Sequence, residues 1–204
     1  LRPNEAIHQT FKYFKDYQII SCIDYFQKRN RSQCHIYSYP YRLEYYNNIT
    51  NNFPGGLFKY VSYISLFDDH PFEHEFFLQI AQSFPFLKSL CLVNEKGQNN
   101  KQCIKSSNHH QNLSIIKYPY LTQLDFFQAH EDYIEQFLLD TKTYLPYNVS
   151  LFSDYQSMKN VTHNFKRNAT QFNCSKVRYI PTSSITQLPK HFKNYFLSTY
   201  IHNL

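Results

Sequence analysis

The chain has no Trp, one Met and only three Gly among its 204 residues. A phosphate-cradling loop needs several Gly where the backbone closes on the anion. Two of the three here are adjacent, at Gly55-Gly56, which excludes the common nucleotide sites. No apolar run approaches the roughly 20 residues that a bilayer-spanning helix requires, so no membrane partner is expected. No C-x-x-C pair occurs, and the five Cys (Cys22, Cys34, Cys91, Cys103, Cys174) are widely spaced and odd in number. They read as reduced thiols of an intracellular protein rather than a disulfide framework. A concentrated basic tract is also missing. The net charge of +6 is spread over Lys28, Arg29 and Arg31, then Lys101 and Lys105, then Lys159, Lys166 and Arg167. A nucleic-acid interface would gather such charges on one face, so no nucleic-acid partner is expected. No signal peptide is read in these residues, and the opening Leu1-Arg2-Pro3-Asn4 is expected to be the start of a helix within a longer protein.

What the chain has in excess is Phe and Tyr, 19 of each, with much Asn, Lys and Ile. All of these use A- and T-rich codons, so aromatic content alone is no sign of base stacking. Its arrangement is more telling. Phe86-Leu87-Lys88-Ser89-Leu90-Cys91-Leu92 recurs as Tyr120-Leu121-Thr122-Gln123-Leu124-Asp125-Phe126, each copy after an aromatic-proline pair. Both follow the L-x-x-L-x-[LF] pattern of a leucine-rich-repeat strand. Weaker relatives stand at 35–39, 61–67, 149–152 and 177–179. With Ile36, Ile64, Leu90, Leu124, Val149 and Val177 as markers, the spacings are 28, 26, 34, 25 and 28 residues, against a period of about 20–29 for such repeats. The long interval is assigned to a polar insertion over 94–112, read as an exposed loop.

Helical patterns lie between the strands. Asp69 or His70 is a candidate cap for a helix with Pro71 in its first turn and Phe76, Phe77, Ile80, Ala81 and Phe84 on one stripe. Glu131 and Asp132 open a second, with Ile134, Phe137, Leu138 and Leu145 inward. A third starts near Asp154, with Tyr155, Met158, Val161 and Phe165 inward, and an N-terminal helix is expected from Asn4. The segment 42–56 reads as a link ending in a Pro-Gly-Gly turn. Strands and helices alternating at near-constant spacing require parallel strands joined by crossovers. Short strands of alternating character and the scarcity of Gly argue against a doubly wound sheet. The expected fold is an α/β leucine-rich-repeat-like solenoid, a horseshoe with short parallel strands and helices on the outer face. It spans residues 1–180, with a capping segment over 181–204 built on Phe192, Tyr195 and Phe196.

Several longer phrases carry a family likeness. Ile36-Tyr37-Ser38-Tyr39-Pro40-Tyr41, Asn48 to Gly56 (Asn-Ile-Thr-Asn-Asn-Phe-Pro-Gly-Gly), Pro71 to Phe77 (Pro-Phe-Glu-His-Glu-Phe-Phe) and Gln82-Ser83-Phe84-Pro85-Phe86-Leu87 resemble the C-terminal half of a large family of invertebrate F-box proteins. That resemblance implies irregular leucine-rich repeats serving as the substrate-binding region of a cullin-type ubiquitin ligase receptor. It also implies that the Skp adaptor and cullin are reached only through an F-box, which these residues do not include.

Catalytic signals are weak. His109-His110 and Cys103 could touch a metal, but four converging ligands are not in evidence. The pairs Asp68-Asp69 and Glu131-Asp132 fall where strands hand over to helices and suit the helix dipole better than acid–base work. Cys91 has no sequence neighbour that would lower its pKa. No catalytic residue, metal or cofactor is assigned, and the chain is read as a non-enzyme. The sharper expectation comes from period-two alternation. With Ile64, Leu66, Leu90, Leu92, Leu124, Phe126, Val149 and Leu151 inward, the residues between them face outward. Phe67, Val93, Phe127 and Phe152 then form an apolar row, flanked by Tyr63 and Asp125, as the surface that binds a protein target. Asn-x-Ser/Thr at Asn30, Asn48, Asn112, Asn148, Asn160, Asn168 and Asn173 supports the alternative of a secreted or scaffold ligand-binding domain unrelated to ubiquitin.

Overall fold

The computed structural model describes residues 9–13, 18–26, 30–99, 114–183, 189 and 192–199. The fold is α/β with a mostly parallel sheet. An antiparallel hairpin comes first, β1 (Gln18–Phe26) with β2 (Arg31–Tyr39). A seven-stranded sheet follows: β3 (Tyr45–Ile49), β4 (Tyr63–Phe67), β5 (Ser89–Asn94), β7 (Gln123–Ala129), β9 (Val149–Ser153), β10 (Val177–Pro181) and β11 (Ser198–Thr199). Two short strands, β6 (Ile116–Lys117) and β8 (Thr143–Tyr144), pair with each other in a separate sheet. Strand order in the large sheet follows the chain without reversal, and every pair in it is parallel. The described strands therefore contain no topological switch point of the kind a doubly wound sheet has.

The inward residues form continuous rows. Tyr46, Ile64, Leu90, Leu124, Leu151 and Tyr179 stand in register, and all are buried. Their partners are the four α-helices among the described residues. These are α1 (His74–Ser83), α2 (Glu131–Leu138), α3 (Tyr155–Val161) and α4 (Asn168–Cys174). The stripes read from the sequence are the faces used, since Phe76, Phe77, Ile80, Ile134, Phe137, Leu138, Met158 and Val161 are all buried. Aromatic rings join strands to helices and helices to each other. Phe137 touches Phe126 at 5.4 Å, Phe77 at 5.4 Å and Tyr118 at 5.6 Å between centroids.

Several expectations need correction. Residues 35–39 are no strand of the parallel sheet but part of the hairpin. The first parallel strand is β3, inside the segment read as a link; it was hidden because only Tyr46 and Ile49 of its five residues are buried. α1 begins at His74, three residues past Pro71. Neither Asp69 nor His70 therefore caps it, the N-cap position being Glu73, and Asp68 accepts from the Asn51 backbone N–H and Nδ2 at 2.8 and 2.9 Å, tying two loops together. Leu145 and Phe165 are buried but lie beyond their helices. Phe165 ends a run of three residues with left-handed backbone (His163 φ 48°, Asn164 φ 59°, Phe165 φ 60°), a conformation that disfavours bulky side chains. Its ring lies among Phe192, Tyr195 and Phe196. α4 carries no apolar stripe in its sequence and went unread.

The insertion is not free where it begins. The Gln98 N–H donates to Asp132 at 2.9 Å, the Gln98 side chain to the Phe72 carbonyl at 3.0 Å, and the Asn99 N–H to Glu73 at 2.9 Å. Gly97 fits there because a Cβ would stand 2.8 Å from the Asp132 carboxylate. The rest of the insertion, with Cys103 and His109-His110, the N-terminal helix start and most of 184–191 lie outside the described residues. Phe192 opens a 3-10 turn (Phe192–Asn194) rather than an α-helix.

Candidate functional site

The helices and loops cover one face of the seven-stranded sheet and leave the other half-exposed. On that second face one row runs Tyr45, Tyr63, Ser89, Gln123, Ser150, Arg178, and the next runs Ser65, Cys91, Asp125, Phe152, Ile180. Tyr63 is 37% exposed and stacks on Tyr45 with centroids 4.8 Å apart at 18°. Tyr45 is also exposed, and the remaining residues of the two rows are intermediate in exposure.

The anticipated apolar row is not continuous. Phe67 pairs with Val93, but Val93 pairs with Gln128, and Phe152 stands beside Asp125. Between the Cys91–Asp125 and Val93–Gln128 pairs, β5 supplies one residue and β7 supplies two, Phe126 and Phe127. This is a β-bulge, which shifts every later residue of β7 against its neighbour. Phe127 is one of the two bulge residues, and its side chain lies outside the described residues. Phe67 is partly covered by Phe26 of the hairpin, edge-on at 4.9 Å. Of the predicted contact residues, Tyr63, Asp125 and Phe152 therefore remain on the uncovered face, with Val93 at its margin. Nothing in the sequence of β7 marks a bulge, since Gln-Leu-Asp-Phe-Phe-Gln-Ala alternates equally well on either side of it.

The sequence reading also passed over the lead-in to each strand. The bonds from the Val61 N–H to the Phe58 carbonyl (3.4 Å), Leu87 to Phe84 (3.2 Å) and Leu121 to Tyr118 (3.3 Å) close three equivalent turns. Each begins with a buried aromatic and ends with a buried aliphatic residue, while its third residue, Tyr60, Phe86 or Tyr120, is exposed. Leu145-Pro146-Tyr147-Asn148 occupies the same place before β9, with Leu145 buried and Tyr147 exposed. The signal lay in the aromatic-Pro-aromatic-Leu wording, visible once 86 and 120 are taken as turn positions rather than strand positions.

Two clefts invite chemistry. One of ≈ 490 Å³ lies between β2 and β3, lined by His35, Tyr37, Tyr41, Arg42 and Tyr46. Here burial, followed by the neighbouring phenols, pushes the Tyr46 hydroxyl far up, and the Tyr41 hydroxyl is committed to the Tyr45 carbonyl at 2.6 Å. The other, ≈ 400 Å³, lies at the C-terminal ends of β7 and β9 and is lined by Glu95, His130, Glu131, Asp154 and Ser157. Two of its polar groups cap helices and a third joins α2 to α3. His130 Nδ1 accepts from the Asp132 N–H at 3.2 Å, Asp154 accepts from the Ser157 N–H at 3.0 Å, and Glu131 accepts from Asn160 at 3.0 Å. Burial would raise the Asp154 carboxyl, but hydrogen bonds from the backbone of Ser157 and Gln156 and the hydroxyls of Ser183 and Ser157 bring it below the ordinary value. Burial and then Asp125 push the Cys91 thiol up, opposite to the shift that activates a nucleophile. Cys22, Cys34, Cys91 and Cys174 are free thiols, and no metal-binding cluster of His, Cys, Asp or Glu occurs among the described residues. No described helix is long and apolar enough to cross a membrane. The chain matches no protein-family model, no curated protein and no solved structure.

Proposed function

We propose that this chain is a non-enzymatic protein–protein interaction module, an irregular leucine-rich-repeat-like solenoid that holds a protein target along its sheet. One observation carries the reading. Parallel strands follow one another in chain order, one face is sealed by helices, and the other presents partly exposed side chains in register, with no second layer over it among the described residues apart from Phe26 on Phe67. An uncovered face mixing Tyr, Phe, Val and Ile with Ser, Gln and Asp has the composition of a recognition surface. Repeat arrays use such surfaces because each unit adds one row to a continuous platform. The phrases at 36–41, 48–56, 71–77 and 82–87 extend the proposal to the target-holding part of an intracellular F-box receptor, joined to the Skp adaptor and cullin through an F-box elsewhere. Free thiols at the four described Cys suit a reducing compartment.

Exposed sequons at Asn30, Asn48, Asn148, Asn160 and Asn168 favour the second reading, a secreted ligand-binding domain. Asn173 does not contribute to it. It is fully buried and donates to the carbonyls of Phe137, Leu138 and Thr143. The deciding experiment is affinity capture of the protein from its own cells, with photo-crosslinkers at Ser89 and Ser150 and, as a control, at Gln156 in α3. A target crosslinked from the sheet positions, with Skp adaptor and cullin in the eluate, is the expected result. Glycans on Asn48 or Asn168 without adaptor or cullin would reverse it in favour of the secreted reading.

A further inference from the structure

We infer that the four strand lead-ins form a second recognition element, an aromatic rim that takes an extended acidic segment of the target. This rests on the interaction-module reading and names where and by what chemistry the target is held. Tyr60, Phe86, Tyr120 and Tyr147 are 58%, 45%, 53% and 68% exposed. Each stands three residues before an in-register position of four consecutive parallel strands: Tyr63, Ser89, Gln123 and Ser150. Neighbouring strands lie about 4.8 Å apart, so the tips line up along the edge where the strands begin. Phe86 and Tyr120 already touch, with centroids 5.4 Å apart at 47°.

Folding does not call for aromatics at these tips. The first residue of each turn, and in the first three the last as well, is buried in the core, whereas Asn148, which ends the fourth, is exposed. At the corresponding place before β10, in the turn closed by the Lys176 N–H on the Asn173 carbonyl, the tip is exposed Ser175. Singly exposed aromatics are ordinary on a protein surface, but four at one register position make a patch. The tip turns themselves are basic: within three residues in sequence stand Lys59, Lys88 and Lys117, all exposed, and no Asp or Glu. Exposed Glu44 lies at the β3 end of the rim, its carbonyl accepting from the Ser62 and Tyr63 N–H groups. Apolar rings interleaved with ammonium groups complement an extended peptide carrying carboxylates between Leu or Phe side chains. A single nucleic-acid strand fits less well. Three Lys give too sparse a track for successive phosphates, and the Phe86–Tyr120 pair is tilted rather than laid out as a flat stacking platform.

The test pans a random peptide display library against the chain and against Tyr60→Ser/Phe86→Ser/Tyr120→Ser/Tyr147→Ser, whose folding is checked by circular dichroism and thermal unfolding. Recovered peptides should be rich in Asp and Glu with interspersed Leu or Phe. They should bind the tip variant about tenfold more weakly and lose affinity as salt rises. If that variant does not fold, Lys59→Glu/Lys88→Glu/Lys117→Glu takes its place with the same expected loss. Basic peptides, no enriched peptides, equal binding to both proteins, or tighter binding of labelled oligouridylate would each overturn the rim. A target still crosslinked through Ser89 and Ser150 in the tip variant would overturn the rim alone and leave the sheet face as the site. Loss of all crosslinking in the unmodified chain would instead remove the module reading.

Discussion

Lys176 shows what the interior of this chain tolerates at the scale of one residue. It is 1% exposed, yet its ammonium donates to the Leu145 carbonyl at 3.1 Å and lies 3.7 Å from the Tyr144 ring centroid and 3.8 Å from that of Phe172. The rings and the carbonyl replace part of the lost hydration. Burial nevertheless pushes its pKa down. The folded state then holds this proton less tightly than the unfolded chain does, so stability rises as pH climbs toward the ordinary lysine value. Most of what the residue supplies is the volume of its aliphatic stem. Lys176→Met should therefore cost no more than about 1 kcal/mol, and Lys176→Ala about 2–4 kcal/mol through the cavity it leaves. Urea unfolding measures both. Equal losses would mean that the ammonium, not the stem, holds the site. Sequence alone offers Lys176 as another surface charge, because its burial is set by Tyr144 and Phe172 on other elements.

Two of the four described helices are opened by a side-chain cap, α2 by His130 and α3 by Asp154, and α1 and α4 by none. α3 is only seven residues long and begins at Asp154, whose carboxylate accepts from the Ser157 N–H and hydroxyl. A depressed carboxyl contributes stability that is complete above its ordinary value of about 3.9 and is lost as pH falls through the lower folded value. Asp154→Ala should cost about 1 kcal/mol at neutral pH. Asp154→Asn keeps a capping oxygen, so it should stay near the parent in stability but lose part of the parent's acid sensitivity. Thermal unfolding between pH 2 and 7 separates the two, and an unchanged acid slope in Asp154→Asn would show that the cap is not the titrating contact. The start of α3 near Asp154 was legible in the sequence, as were the apolar stripes of α1 and α2, because side-chain chemistry and period coincide there. α4 was not, since Asn-Ala-Thr-Gln-Phe-Asn-Cys has no stripe. It is held instead by Asn173, whose side chain bonds three carbonyls and the Leu145 N–H.

Across the whole molecule the described sheet is a succession of nearest neighbours, and the hairpin is an addition at one end. Asp24 fastens the hairpin to the loop after β3, accepting from the Thr50 hydroxyl and the Asn52 side chain at 2.8 Å each. Tyr37 and Phe26 add ring contacts to Tyr46, Phe58 and Phe67. Asp24→Ala leaves the buried Thr50 hydroxyl and the side chain of exposed Asn52 without this acceptor. It should speed amide exchange in β1 and β2 about tenfold while β7 and α2 keep their protection. Loss of protection throughout would show one cooperative unit. The parallel order was readable from the spacing of Ile64, Leu90 and Leu124, which stand in register. The exact register was not. The marker Val149 pairs with Val177 but stands one row-step away from Leu124, whose partner is Leu151, and the bulge at Phe126–Phe127 moves the end of β7 again. The first slip exchanges one buried residue of β9, Val149, for another, Leu151, and leaves the core list unchanged, while the bulge re-pairs the outward residues, and so the predicted contact surface changed more than the predicted core.

The lead-in turns divide what inheritance must keep from what it can vary. Phe58, Phe84 and Tyr118 with Val61, Leu87 and Leu121 are fixed by the interior, while the tips Tyr60, Phe86 and Tyr120 are about half exposed, the last two touching each other. A codon change at a tip leaves the buried pair of its turn in place, and Ser175 is one such state already present. Lineages of this chain can therefore diverge quickly at the tips while the scaffold stays constant, and two copies in one genome need differ at only four codons to present different rims.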